Sequence, residues 1–173
     1  QGLFAQTFTD RTNLLFQPNS FSSGGAVGVT DINNDGKDDI VRLDEGNSVN
    51  VEYQAGANQA FQHYSFGTYD QSAWALTVGD VNNDGFCDLF FAGYKDGAKL
   101  LLANNNGFGF SPGLLPGSAY FAQGSNFADI NNDGWLDVFS CDDDAESRIW
   151  GNNGAGGFAA ADHWINMATV PVS

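Results

Sequence analysis

A nine-residue stretch occurs three times in this sequence: as DINNDGKDD at residues 31–39, as DVNNDGFCD at residues 80–88 and as DINNDGWLD at residues 129–137. Each copy begins 49 residues after the one before it. We refer to these stretches as the first, second and third loops. A fixed period of this length indicates a repeat architecture, in which each repeat is one supersecondary unit.

A second element follows the loops in phase. It reads NNGFGF at residues 105–110 and NNGAGGF at residues 152–158, with a degraded form at residues 54–61. Two independent signals with nearly the same period, 47 and 49 residues, argue against a chance match.

Short apolar and alternating stretches around these elements predict four strands in each repeat. The predicted strands are residues 26–30, 40–43, 49–53 and 61–66 in the first repeat, residues 75–79, 89–92, 98–102 and 108–111 in the second, and the same order from residue 125 to residue 158 in the third. A four-stranded unit every 40 to 50 residues, on the order of one blade, is typical of β-propellers. The sequence therefore predicts an all-β fold of propeller blades, each a four-stranded antiparallel sheet.

The composition agrees with this fold and argues against several functions. The 22 glycines, 15 phenylalanines, 5 tyrosines and 4 tryptophans suit short strands joined by tight turns. A formal net charge of −15 argues against nucleic acid and anionic membranes as partners. No stretch approaches the roughly 20 apolar residues of a transmembrane helix, so we expect no membrane insertion.

The chemistry of the loops predicts a site for a hard cation. Oxygen-bearing side chains occupy the first, third, fifth and ninth positions, glycine at the sixth permits a sharp turn, and the backbone carbonyl of the seventh can join them. Such a set suits Ca²⁺. A single loop is also explained by an Asn-Asp-Gly turn with solvated charge, but three identical loops favour the metal. An EF-hand is excluded because the twelfth position holds Arg42, Phe91 or Ser140 instead of Glu.

With these two motifs the chain resembles the FG-GAP/VCBS repeats of integrin α-subunit β-propellers and of many secreted bacterial proteins. The third repeat is similar to the cartilage-acidic-protein-like secreted proteins. The resemblance covers essentially the whole chain and implies a propeller, usually of seven blades, with Ca²⁺ in the hairpin between the first two strands of a blade. The three implied ligand sets are Asp31, Asn33, Asp35, the Lys37 carbonyl and Asp39; Asp80, Asn82, Asp84, the Phe86 carbonyl and Asp88; and Asp129, Asn131, Asp133, the Trp135 carbonyl and Asp137.

The repeats predict the domain organisation. We expect one propeller segment over residues 1–173, with an outer closing strand and linker at 1–20, blades at 21–69, 70–118 and 119–167, and the start of a further blade at 168–173. Three blades are fewer than the four to eight, roughly, that close a ring. The segment is therefore expected to belong to a larger propeller of about seven blades, closed by a longer chain or by self-association.

No constellation of catalytic residues is visible, and we expect no enzymatic activity. His63 and His163 have no fixed spacing to a serine or cysteine and are interpreted as outer-strand residues. Cys87 and Cys141 are expected to be unpaired thiols.

Two surfaces are candidates for binding a partner. The seventh loop residues, Lys37, Phe86 and Trp135, either face outward, where aromatic rings stack on a sugar or a protein, or cover a neighbouring blade. The acidic turns at residues 44–45, 94–96 and 142–146 either recruit a basic partner or more Ca²⁺, or are solvated charge.

These features predict a calcium-stabilised extracellular β-propeller that serves as a binding or adhesion module for a protein or a glycan. The alternatives are a carbohydrate-binding lectin, a non-catalytic domain of a larger secreted enzyme, and a structural subunit of a surface assembly or fibre. Extracellular modules bind Ca²⁺ with dissociation constants of about 10⁻⁴ to 10⁻³ M, so such sites would be empty at cytosolic calcium. This, and a first residue that is Gln1, not Met, favour a secreted, periplasmic or cell-surface location.

Overall fold

The computed structural model describes residues 7–16, 26–43, 48–68, 73–94, 98–113, 115–117, 121–155 and 157–165. These residues form three four-stranded antiparallel sheets, in each of which the strands lie side by side in chain order. The all-β fold of blade-like sheets is thereby confirmed. In the first two sheets every strand end lies within two residues of its predicted position.

The strands are numbered along the chain. The first sheet contains β1 (Val27–Thr30), β2 (Asp39–Leu43), β3 (Ser48–Tyr53) and β4 (Gln62–Thr68); the second contains β5 (Ala73–Gly79), β6 (Asp88–Gly93), β7 (Lys99–Asn104) and β8 (Gly109–Pro112); the third contains β9 (Ala122–Ala128), β10 (Asp137–Asp142), β11 (Arg148–Asn152) and β12 (Phe158–Ala160). Each loop connects the first two strands of its sheet.

The first and second sheets pack against each other through apolar side chains. Val41, Val49 and Val51 of the first sheet form one buried cluster with Leu89 and Phe91 of the second. Alternate residues of a strand face the same side of a sheet, which is why Val49 and Val51 both reach this interface. Burial of each such side chain contributes about 1.5 to 3 kcal/mol to stability.

The second sheet packs on the third through its other face. Phe90 and Leu100 cluster with Val138 and Trp150, and the ring centroids of Phe90 and Trp150 lie 5.7 Å apart. Because neighbouring residues of β6 serve opposite interfaces, the second sheet is the middle one of the three.

The first strands of the three sheets approach each other closely. A Cβ atom at Gly28 in β1 would lie 2.7 Å from Cγ2 of Val78 in β5. A Cβ atom at Gly79 in β5 would lie 3.1 Å from Cδ2 of Phe127 in β9. Glycine at these positions lets the backbones come together, as the inner strands of adjacent blades require.

The face of the first sheet that points away from the second carries a buried charged cluster. Glu52 in β3 is 0% exposed, and it pairs with the guanidinium of Arg42. His63 Nδ1 lies 3.2 Å from Glu52 Oε1. The ring of Phe16 stacks on His63 at a centroid distance of 4.3 Å, and the Phe16 carbonyl accepts a hydrogen bond of 3.2 Å from Arg42. Residues preceding the first sheet thus cover this face.

The helical segments of the described chain are the three-residue 3-10 turns Thr12–Leu14, Asn105–Gly107 and Asp162–Trp164. In this part of the chain no helix has the length and apolar character needed to cross a membrane. His63 lies in the outer strand β4, as expected, whereas the prediction of an outer-strand position for His163 is wrong. Its segment leaves the sheet because the Ile149 amide donates to Asp162 Oδ1 at 2.8 Å and turns the chain onto β11.

Several predictions at the ends of the chain fall outside the described residues. These include the start of a further blade at 168–173 and, in the predicted closing strand and linker at 1–20, every residue except 7–16. Residues 7–16 contain no strand. Both cysteines are free, as expected.

Candidate metal centre

The three loops share one backbone conformation. Their fourth residue is asparagine and their sixth is glycine, and both have positive φ angles. The φ values are 57°, 56° and 60° at Asn34, Asn83 and Asn132, and 83°, 91° and 93° at Gly36, Gly85 and Gly134. Asparagine is one of the few residues with a side chain that enters this region at low cost, so the Asn-Asp-Gly sequence itself shapes the turn.

The first aspartate of each loop accepts two hydrogen bonds from backbone amides across the turn. In the first loop, Asp31 Oδ1 accepts from the Asp35 amide at 3.0 Å and Oδ2 from the Gly36 amide at 2.7 Å. Asp80 and Asp129 make the same two contacts, at 3.1 and 2.8 Å and at 2.9 and 2.9 Å. These bonds hold one carboxylate over the centre of each loop.

The third and fifth residues interact in the same way in the second and third loops. Asn82 Nδ2 donates to Asp84 Oδ2 at 3.0 Å, and Asn82 Oδ1 accepts from the Asp84 amide at 3.0 Å. Asn131 and Asp133 repeat these contacts at 2.7 and 2.9 Å. Asp84 Oδ1 in turn accepts from the Phe86 amide at 2.9 Å.

The first loop departs from this pattern. Lys37 Nζ donates to Asp35 Oδ2 at 2.8 Å, and this hydrogen bond lowers the pKa of Asp35. The Oδ1 atom of Asn33 is buried and accepts no hydrogen bond. The first loop therefore contains a buried oxygen that lacks a donor.

The ninth aspartate of each loop is fully buried and ties the loop to its sheet. Each of Asp39, Asp88 and Asp137 is 0% exposed. One carboxylate oxygen accepts from the amide of the second loop residue, at 2.9 to 3.1 Å, and the other accepts from an amide at the end of the third strand, at 2.7 to 2.8 Å. Burial raises the pKa of Asp39 and raises that of Asp88 to about 6.

The backbone amides at the end of the third strand that donate to the ninth aspartates show that one alignment made from the sequence is wrong. They belong to Gln54, Ala103 and Asn152, each 49 residues after the last. The structure thus aligns Asn152 with Ala103, whereas the two Asn-Asn-Gly motifs aligned it with Asn105. Asn105 instead begins the 3-10 turn Asn105–Gly107, which follows the last residue of β7.

Neighbouring loops are joined to one another. The Cys87 amide in the second loop donates to the Ile32 carbonyl in the first at 3.1 Å. Asn152 Nδ2 donates to the carbonyl of Val81 in the second loop at 2.7 Å and to that of Leu136 in the third at 3.0 Å. The loops therefore form a continuous row along one edge of the three sheets.

The Asn-Asn-Gly turns pack on the loops as well. A Cβ atom at Gly107 would lie 2.7 Å from the Cα of Asn33, so this turn of the second sheet rests on the first loop. A Cβ atom at Gly154 would lie 2.9 Å from Cε2 of Trp135, so the third loop's tryptophan covers a turn of its own sheet. Both glycines have a positive φ and lack room for a side chain, although their contacts differ.

The acidic turns opposite the loops are described only in part. Residues 44–45 lie outside the described residues, and so do 95 and 96. In the third sheet Asp142 is buried and accepts a hydrogen bond of 2.9 Å from the Asp144 amide. This hydrogen bond stabilises the turn that contains Asp142 and Asp144.

The oxygen atoms that the loops offer as metal ligands are of the kind that a hard cation binds. All are carboxylate, amide or carbonyl oxygens, which is the ligand chemistry of Ca²⁺, and Asn33 Oδ1 is a buried acceptor without a partner. In the described part of the chain no three His, Cys, Asp or Glu side chains converge as a metal cluster. The loop carboxylates point at backbone amides, and each oxygen that accepts one hydrogen bond retains a second lone pair.

A family model of FG-GAP-like repeats matches the chain over residues 31–91 and 80–140. The chain belongs to the FG-GAP-like repeat family. The two matches begin at the first aspartates of the first and second loops, and together they contain all three loops. No curated protein matches the sequence significantly. The FG-GAP assignment therefore agrees with the three blades and places every candidate ligand inside the matched region.

Proposed function

We propose that this FG-GAP repeat chain is a calcium-stabilised β-propeller segment that acts outside the cell as a binding or adhesion module. The observation that supports it best is the repetition of one loop geometry three times, with the first and ninth aspartates of all three loops held by the same backbone hydrogen bonds. The membership of the FG-GAP family supports an adhesion-type propeller.

Calcium has a clear physical role in this proposal. The first loop places four aspartates within nine residues, and the second and third loops three each, in a chain whose formal charge is −15. The ligands would be the first, third, fifth and ninth side chains and the seventh carbonyl of each loop. A bound divalent ion would offset the repulsion between these carboxylates and fasten the hairpin that joins the first two strands of a blade.

The decisive experiment compares thermal and urea unfolding in millimolar Ca²⁺ with unfolding in EGTA. At 1 mM Ca²⁺, a dissociation constant of about 10⁻⁴ M would add about 1.4 kcal/mol of stability per site. Asp84→Ala should remove one site's share of this gain. Glu146→Gln, which changes an exposed charge outside the loops, should retain all of it. An unfolding transition that is the same in both buffers would contradict the proposal.

No catalytic role is part of this proposal. His63 is packed between Glu52 and Phe16, and His163 is exposed on a 3-10 turn.

The ring of the propeller is completed either by further chain or by other copies of this one. Light scattering of the protein in calcium would distinguish a monomer from a closed assembly.

Glycan binding is the second candidate, and an aromatic surface favours it. Tyr64 and Phe108 are 41% and 37% exposed, and their ring centroids lie 6.0 Å apart. Beside them Phe66 and Phe110 line a groove of about 440 Å³ between the first and second sheets. Exposed rings of this kind stack on sugars. Glycan-array binding that disappears in Tyr64→Ala would establish a lectin, and an array without signal would exclude one.

A further inference from the structure

The first loop differs from the other two in the contacts of its fifth aspartate and of its third residue, an asparagine. In the second and third loops Oδ2 of the fifth aspartate accepts from the asparagine two residues earlier, at 3.0 and 2.7 Å. In the first loop the ammonium group of Lys37 donates to this oxygen at 2.8 Å, in addition to a hydrogen bond between the Asn33 side chain and the Asp35 carboxylate. Phe86 and Trp135, at the position of Lys37 in the other loops, carry no positive charge.

The lysine contact accompanies a change in the asparagine of the same loop. Asn82 and Asn131 each use Oδ1 to accept the amide of the following aspartate, at 3.0 and 2.9 Å. Asn33 Oδ1 is buried and has no hydrogen bond. The first loop therefore has an ammonium group on one candidate metal ligand and an unsatisfied oxygen on another.

We propose that Lys37 is a tethered cation that competes with the metal for Asp35 and makes the first loop the weakest of the three calcium sites. This inference rests on the proposed function. A calcium ion that enters the first loop must displace the ammonium group or remain beside it, and both weaken binding because the charges repel. The second and third loops contain no such competitor among their own residues. They are expected to fill first.

Lys37 can be replaced without a large effect on folding. The side chains of Lys37 and Asp35 are 37% and 33% exposed, and exposed ion pairs contribute little to folding. Removing the lysine should therefore change metal affinity without unfolding the protein. The loops have equal formal charge, because the exposed Asp38 of the first loop has no counterpart in the others, but only Lys37 places a positive charge directly on a candidate ligand. We expect the first loop of the natural chain to bind Ca²⁺ about tenfold more weakly than the others, the effect of one unit charge a few ångströms away at an exposed site.

The experiment is a calcium titration of the intact chain followed by NMR. The amides of Gly36, Gly85 and Gly134 each donate to the first aspartate of their own loop, so their signals report the three loops separately. Lys37→Met should bring the Gly36 midpoint down to those of Gly85 and Gly134. Phe86→Lys, the reverse change, should raise the Gly85 midpoint about tenfold.

Arg11→Met is the matched control. It removes one positive charge at an exposed position outside the loops and should leave all three midpoints unchanged. Equal midpoints in the natural chain, or a Gly36 midpoint that Lys37→Met does not move, would overturn the role of Lys37 and leave the proposed function intact. Absence of any calcium-dependent shift would overturn both.

Discussion

At the scale of single residues, the two cysteines differ in a way that predicts their chemistry. Cys87 is half-buried between the first and second loops, and burial raises the pKa of its thiol. Cys141 in β10 is exposed. Because the thiolate is the reactive form, Cys141 should react with a disulfide reagent much faster than Cys87.

The measurement is a time course of thiol modification with Cys141→Ser and Cys87→Ser as the two reference proteins. Cys141→Ser should lose the fast phase and Cys87→Ser the slow one. Two phases of equal rate would show that the contact between the first two sheets opens readily.

The buried aspartate of the second loop predicts a pH dependence. Burial raises the pKa of Asp88 to about 6, from an ordinary value of 3.8. Since the folded state holds this proton more tightly than the unfolded state, Asp88 favours folding at low pH. That contribution is lost as the pH rises from about 4 to about 6, and it amounts to about 3 kcal/mol.

Urea unfolding in EGTA at several pH values would test this. The difference in free energy of unfolding between the natural chain and Asp88→Asn should change by about 3 kcal/mol over this range. Glu146→Gln, at an exposed position, should show no comparable change. A difference that is constant with pH would contradict the prediction.

At the scale of structural elements, the row of loops depends on one side chain. Asn152 donates to carbonyls of both the second and third loops and is 6% exposed. Asn152→Ala leaves both carbonyls without this donor, and a buried unsatisfied polar group costs about 1 to 3 kcal/mol. Asn126→Ala, an exposed asparagine in β9, should have little effect. Equal midpoints of urea unfolding for the two variants would exclude a bridging role.

Most of the strands could be predicted from the repeat period, because the same hydrophobic alternation returns every 49 residues. This alternation allows only one pairing register in each sheet. The loops were recognisable for the same reason. The turn formed by the asparagine at the fourth position was considered only as an alternative to the metal site, and the structure shows its positive φ in all three loops. The alignment of Asn152 with Ala103 follows from the 49-residue period, but the two Asn-Asn-Gly motifs, which begin 47 residues apart, favoured a different alignment.

At the scale of the whole molecule, the three sheets use equivalent positions in different ways. Residues 42, 91 and 140 are related by the 49-residue period, as are residues 52, 101 and 150. In the second sheet the pair is Phe91 and Leu101, which pack on the preceding sheet. In the first sheet it is Arg42 and Glu52, covered by residues that precede β1. The sequence shows that the first repeat has a charged pair where the second has an apolar pair. It does not show which segment covers the charged pair.

This comparison predicts opposite effects for two variants of the first sheet. Glu52→Ala leaves the guanidinium of Arg42 without its buried partner, and breaking a buried ion pair in this way costs about 3 to 5 kcal/mol. Arg42→Phe combined with Glu52→Leu reproduces the pair of the second sheet and removes both charges. Replacing a buried pair by apolar residues of similar volume is often neutral or stabilising.

Urea unfolding of the natural chain and of the two variants is the measurement. It shows whether the first sheet requires the charged pair or whether an apolar pair can replace it. If the double variant is as stable as the natural chain while Glu52→Ala is not, the charges are tolerated only as a pair, and the outer face of the first sheet is an ordinary blade face. If the double variant is as unstable as Glu52→Ala, the contacts of Phe16 with His63 and Arg42 depend on the ion pair. In that case the first sheet is specialised to hold the preceding segment, because a face built for a further sheet would accept the apolar pair.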